Sequence, residues 1–188
     1  MEYFSETEYL VRRGIWGLGG ARLRVYDPKS QMVAFCTMGS FRVRANIQVF
    51  TGKDKTHELF RIKLRSIADI ANINATYDVL DSASGELIGA WRQHGVKSTL
   101  RDEWVILDPD DREVGMLQES DLKHALARRL SSNMIWSEHI ATYDGESVAM
   151  FKHKFTLFSE KVITETSRPD LADRRLMLAG AILLAAGE

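Results

Sequence analysis

Short runs of alternating apolar and polar residues, closed by turn formers, recur from end to end of the chain at the spacing of an all-β sandwich or barrel. The clearest is the hairpin Ile140-Ala141-Thr142-Tyr143, Asp144-Gly145, Glu146-Ser147-Val148-Ala149-Met150-Phe151, because Asp-Gly readily takes the positive φ angles of a type I′ turn. Three relatives of it follow one plan. Tyr77 to Asp81 turns through Ala83-Ser84-Gly85 into Leu87 to Trp91, and Trp104 to Asp108 turns through Pro109-Asp110-Asp111 into Val114 to Leu117. Leu23 to Asp27 turns at Pro28-Lys29-Ser30 into Met32 to Phe35. Each reads apolar strand, aspartate, turn, apolar strand, a pattern that either ordinary β-meander punctuation or internal duplication produces. The pattern predicts twelve strands, near 7–13, 22–27, 32–38, 41–50, 57–65, 74–81, 86–94, 100–108, 112–118, 135–143, 146–153 and 156–165.

Two stretches break the period of two. Asp121 to Leu130 puts Leu122, Ala125, Leu126 and Leu130 on one stripe with Lys123 and Arg128 off it, which predicts an amphipathic surface helix. Leu171 to Ala186 is different, because from Leu176 onward a helix there has no polar face and must be enclosed. Its eleven uncharged residues fall short of the ~20 that cross a bilayer core, so no transmembrane span is expected. Eight strands leave an interior that side chains alone fill and sixteen leave a channel, so twelve leave room for one helix. The expected fold is therefore mainly β: a twelve-stranded antiparallel closed barrel around the C-terminal hydrophobic helix 171–186, in a single domain over 1–188. Trp104-Val105-Ile106-Leu107 fits this, since a strand apolar on both faces is covered on both.

With 188 residues, 45% of them hydrophobic, the chain suits one core rather than two. Twenty-five Lys and Arg against twenty-six Asp and Glu give a formal charge of −1. That balance excludes the global positive field of a nucleic-acid-wrapping protein, and no nucleic-acid partner is expected. The lone Cys36 cannot form an intramolecular disulfide, and Met1 to Glu8 lack the basic and apolar regions of a signal peptide. A cytoplasmic protein is expected, placed peripherally at a membrane if its ligand is a lipid.

The stretch Arg92-Gln93-His94-Gly95-Val96-Lys97-Ser98-Thr99-Leu100-Arg101-Asp102-Glu103-Trp104-Val105-Ile106-Leu107-Asp108 resembles the basic-Ser, Arg-Asp-x-aromatic, strand, Asp signature of the LURP-one-related family. That family shares a fold with the tubby C-terminal domain and the phospholipid scramblases. Asp173 to Leu184 is similar to the buried terminal helix of that superfamily. The likeness covers nearly the whole chain from about Tyr9 and rests on strand and turn patterns. It implies a closed barrel around a helix, acting as a binding or membrane-associated module rather than an enzyme. The acidic calcium-binding segment of the scramblases is replaced by Phe155 to Glu165, where only Glu160 and Glu165 are acidic, so calcium-driven scrambling is not implied.

Local motifs for catalysis are absent. His57, His94, His124, His139 and His153 never fall at i,i+3 or i,i+4, and one thiol completes no zinc set, so no metal or cofactor is expected. Asp108-Pro109-Asp110-Asp111-Arg112-Glu113 has Glu113 where a calcium loop needs glycine and reads as a turn. Gly95-Val96-Lys97-Ser98-Thr99 has valine between glycine and lysine, with Trp91 at the earlier glycine of a phosphate loop. Gly17-Leu18-Gly19-Gly20 is followed by Arg22 where a dinucleotide fingerprint needs its third glycine. An enzyme assembled from distant strands around His57 or His94 is the alternative these residues leave open.

One charge asymmetry stands out. Ser40 to Arg65 holds Arg42, Arg44, Lys53, Lys55, Arg61, Lys63 and Arg65 against Asp54 and Glu58, a balance of +5 that leaves −6 for the rest. Alternation sends Phe41, Val43, Ala45, Ile47 and Val49 inward with Arg42 and Arg44 outward, then Phe60, Ile62 and Leu64 inward with Arg61, Lys63 and Arg65 outward. Like charges held that close repel unless acidic neighbours or a bound anion offset them. Arg42, Arg44, Arg61, Lys63 and Arg65 are accordingly the candidate site for an anionic phospholipid or phosphoinositide headgroup, which the tubby likeness also implies. A protein-interaction adaptor without a lipid role is the remaining expectation.

Overall fold

The computed structural model describes residues 3–14, 22–38, 46–66, 75–93, 103–119, 136–156 and 159–187. Among them twelve strands form one closed antiparallel barrel, each hydrogen-bonded to its sequence neighbours, with the first closing on the last. The strands are β1 (Glu8–Gly14), β2 (Arg22–Tyr26), β3 (Met32–Met38), β4 (Asn46–Phe50), β5 (Glu58–Ser66), β6 (Thr76–Asp81), β7 (Leu87–Gln93), β8 (Trp104–Leu107), β9 (Glu113–Glu119), β10 (Trp136–Tyr143), β11 (Glu146–Thr156) and β12 (Ser159–Thr166). Among the described strands no edge is left for another chain to extend.

The repeated aspartates have a local cause. Asp27 Oδ1 accepts the Gln31 N–H at 2.7 Å, Asp108 Oδ1 accepts those of Asp110 and Arg112 at 2.9 Å, and Asp81 Oδ1 accepts those of Ala83 and Ser84. Each carboxylate thus satisfies turn amides that no ladder reaches. In the same turns Ser30, Asp111 and Gly85 take φ of 61°, 63° and 75°. The strand register slips just ahead of each turn, at Val25/Tyr26, Val79/Leu80 and Ile106/Leu107. Turn chemistry by itself therefore explains the recurring plan.

The helix α1 (Arg174–Ala186) fills the barrel, and every residue from Leu176 to Ala186 is buried. It starts three residues later than the hydrophobic pattern predicts, because Asp173 caps it by accepting the Arg175 N–H at 2.8 Å. Leu171 precedes that cap and is 42% exposed. Val11, Leu23, Val25, Ile47, Val49, Phe60, Ile62, Val79, Trp91 and Phe151 point inward onto the helix. Trp91 donates its indole N–H to the Leu176 carbonyl at 2.9 Å, and its ring lies against Gly180, where a Cβ would sit 2.6 Å from Cζ2. All four residues of β8 are buried: Trp104 and Ile106 in the main core, Val105 and Leu107 with Ala90 in a second cluster. At the far end Gly187 closes α1 with φ 76°, and Arg13 donates to the Ala186 carbonyl at 3.0 Å. Among the described residues no helix is long and apolar enough to cross a membrane. The expected helix 121–130 and the family-like stretch 94–102 lie outside the described residues.

Candidate functional site

Phe60 and Ile62 of β5 are buried, so Arg61, Lys63 and Arg65 share the outer face, as alternation requires. Arg42 and Arg44 lie outside the described residues. The β5 cations are interleaved with carboxylates. Arg61 grips Glu58 through Nε and Nη2 at 2.8 and 3.0 Å, and that pair chiefly holds the Glu58 carboxyl below its ordinary range. Arg65 spans Asp78 at 2.6 Å and Asp111 at 2.7 Å. Lys63 is exposed, faces Asn46 and Asp78 in register, and makes no ion pair among the described residues. Acidic neighbours thus offset two of the three.

A denser cationic surface lies elsewhere. The register sets Arg24 of β2 opposite Arg12 of β1, Arg12 opposite Lys161 of β12, and Lys161 opposite Lys154 of β11. Arg12, Arg24 and Lys161 face outward, since their strand neighbours Val11, Val25 and Val162 are fully buried, and Lys154 shares their face through its register with Lys161. Arg22 and Lys152 flank the row on the same face. Arg12, Arg22, Arg24, Lys152 and Lys161 make no ion pair among the described residues. Opposed side chains in such a ladder have Cβ atoms about 5 Å apart, where like charges destabilise the pair. Beyond Arg22 the same row continues through Thr37 and Gln48 to Arg61. Uncharged residues therefore connect it to the β5 face. The four residues come from positions 12, 24, 154 and 161, so no sequence window contains them. Alternation gives each one's outward face, but only the closure of β1 on β12 brings them together.

The barrel rim that holds the start of α1 is concave. A recess of about 460 Å³ opens between Tyr3, His57, Asp81, Pro169 and Arg174, and a second of about 430 Å³ adjoins it over Arg61 and Ser82. The two share His57, Glu58, Asp81 and Ala83, making one groove. The Tyr3 and His57 rings stand 5.7 Å apart at 32°. Histidine, carboxylate and hydroxyl meet here without the hydrogen-bond chain of an activated nucleophile. Ser82 donates to Glu58 Oε1 at 3.0 Å, not to His57. Glu58, kept ionised by Arg61, is a weak base.

The other described histidines face the interior. His153 Nε2 lies 3.0 Å from Glu160 Oε1, and Glu160 in turn accepts from Arg13 at 3.1 Å, which ties both to the end of α1. His139 is buried opposite Glu119 on β9. His94 and His124 lie outside the described residues. Burial raises the Cys36 thiol to about 12, which leaves it protonated and unreactive at neutral pH. No cluster of His, Cys, Asp and Glu among the described residues could hold a metal ion.

Comparison with protein-family models, with curated proteins and with solved structures finds no match.

Proposed function

We propose that this chain is a non-enzymatic binding module that docks on anionic lipid surfaces. One observation carries the reading: the row Arg24, Arg12, Lys161, Lys154 places like charges directly opposite one another across three consecutive ladders. Like charges opposed in this way weaken the barrel, and an external anion lying over Arg24, Arg12 and Lys161, which make no ion pair among the described residues, relieves that repulsion. Each basic residue close to an anionic bilayer adds about 1 kcal/mol of attraction, so the row with its flanks Arg22 and Lys152 is sufficient for reversible peripheral binding. The likeness to LURP-one-related and tubby-like domains supports the same reading. Arg61, Lys63 and Arg65 take a secondary place, because Glu58, Asp78 and Asp111 already neutralise two of them.

Vesicle co-sedimentation tests this. Phosphatidylcholine vesicles should leave the protein in solution. Vesicles that also contain phosphatidylserine or a phosphoinositide should retain it, with retention falling as salt rises. The double variant Arg12→Glu, Lys161→Glu should lose at least about tenfold in affinity, whereas Arg61→Glu, Lys63→Glu should lose less. Equal retention on neutral vesicles, or full retention of the first double variant, overturns the reading. Duplex DNA that competes as well as anionic vesicles would replace the lipid by a general polyanion.

A further inference from the structure

The groove on the rim around α1 has a hydrogen-bonding polarity that its charge does not reveal. Its formal charges cancel, with Glu58, Asp81 and Asp173 against Arg61, Arg174 and Arg175. An ionised carboxylate offers about four lone-pair positions. Glu58 fills them with Arg61 Nε, Arg61 Nη2, Gln48 Nε2 and Ser82 Oγ. Asp81 Oδ1 takes the amides of Ala83 and Ser84 together with Ser84 Oγ, and Oδ2 takes Arg175 Nη1. Asp173 is occupied by the backbone N–H, Nε and Nη2 of Arg175. The acceptors are largely occupied from within. The donors are not, because a guanidinium carries five N–H groups, and Arg61 gives only its Nε and Nη2 to Glu58. Arg175 likewise keeps a second N–H on each of Nη1 and Nη2. An incoming ammonium or hydroxyl proton finds one free position on these carboxylates, at Asp81 Oδ2, whereas an incoming oxyanion finds three free N–H groups on Arg61 and two on Arg175. Beside those donors the exposed Tyr3 ring, the His57 ring and Pro169 offer flat faces to an aromatic body.

We infer that this groove binds a small organic oxyanion, which sets a carboxylate or phosphate on Arg61 and Arg175 and lays a flat apolar body against Tyr3 and His57. The site is apart from the β11–β12–β1–β2 row, and the inference does not rest on vesicle binding. Glu58 stays a carboxylate near neutral pH, since Arg61 holds it below its usual range, so its lone pairs remain occupied.

Titration of the full chain, followed by the ring-proton resonances of Tyr3 and His57, tests this with four probes: benzoate, phenyl phosphate, benzylamine and inorganic phosphate. Benzoate or phenyl phosphate should give saturable shifts. Benzylamine, which has the ring but donates, and inorganic phosphate, which has the oxyanion but no ring, should each bind at least about tenfold more weakly. Arg61→Gln should weaken the aromatic oxyanions about tenfold. Tyr3→Ala, at a side chain 49% exposed and so neutral for folding, should weaken them without altering the melting temperature. Benzylamine bound as tightly as benzoate, no shift with any probe, or unchanged affinity in both variants overturns the inference. The vesicle assay reads a different surface, so either proposal can fail while the other stands.

Discussion

A single glycine governs how closely the helix meets the sheet. Gly180 sits under the Trp91 ring, and an added Cβ would stand 2.6 to 3.0 Å from three of its carbons. The ring cannot retreat freely, because its N–H is committed to the Leu176 carbonyl and its other side meets Phe151 at 6.2 Å, edge on. Helix propensity favours Ala over Gly by about 1 kcal/mol, whereas overpacking a rigid contact costs about 1–3 kcal/mol. The second effect should win. Gly180→Ala should lower the urea midpoint, and a midpoint that rises would mean the ring swings aside. Sequence shows Gly180 only as the weak point of an apolar run; its reason is a tryptophan on β7, and no periodicity connects the two. Trp91 itself is legible as an apolar strand residue, but its need for a buried acceptor becomes visible only once the helix is in place.

At the scale of the element, the hydrophobic run was enough to predict an enclosed helix, because a helix with no polar face has nowhere else to go. Its start was not, since the apolar period runs through Leu171 while the cap is set by Asp173, a short acceptor in a turn that follows Pro169. Two substitutions inside the predicted span 171–186 separate these cases. Leu183 is 1% exposed and Leu171 is 42% exposed. Leu183→Asp buries a carboxylate among apolar side chains, and should cost more than about 4 kcal/mol or prevent folding outright. Leu171→Asp should shift stability by no more than about 0.5 kcal/mol. Calorimetric melting of both checks this, and equal effects would place the helix outside the barrel. The two ends of α1 are also fixed differently. Arg13 sets a cation at the negative end of the helix dipole, whereas Arg174 and Arg175 stand at its positive end, where Asp173 and Asp81 compensate Arg175.

For the whole molecule, strand count and helix enclosure led to the barrel without any distant contact, because closure follows from how many strands surround one helix. Register was beyond reach. Alternation assigns each cation to the outer face, but a net charge of −1 and a local balance of +5 direct attention to β5, where carboxylates from β6 and the β8–β9 turn neutralise what the sequence window shows as surplus. The surplus that survives folding is on β11, β12, β1 and β2. Arg12 is its centre, opposed by Arg24 on one side and Lys161 on the other. Arg12→Glu turns both repulsive pairs into attractive ones, each worth about 0.2–1 kcal/mol. In a domain of this size 1 kcal/mol corresponds to roughly 2–4 °C in melting temperature. The variant should therefore melt about 1–8 °C higher than the parent at low salt, with the gain shrinking as salt screens the exposed pairs. The same variant should bind anionic vesicles more weakly, so stability and retention move in opposite directions. A row that merely solvates the barrel would show the thermal gain without the loss of binding, and a row whose charges already pair elsewhere would show no gain at all.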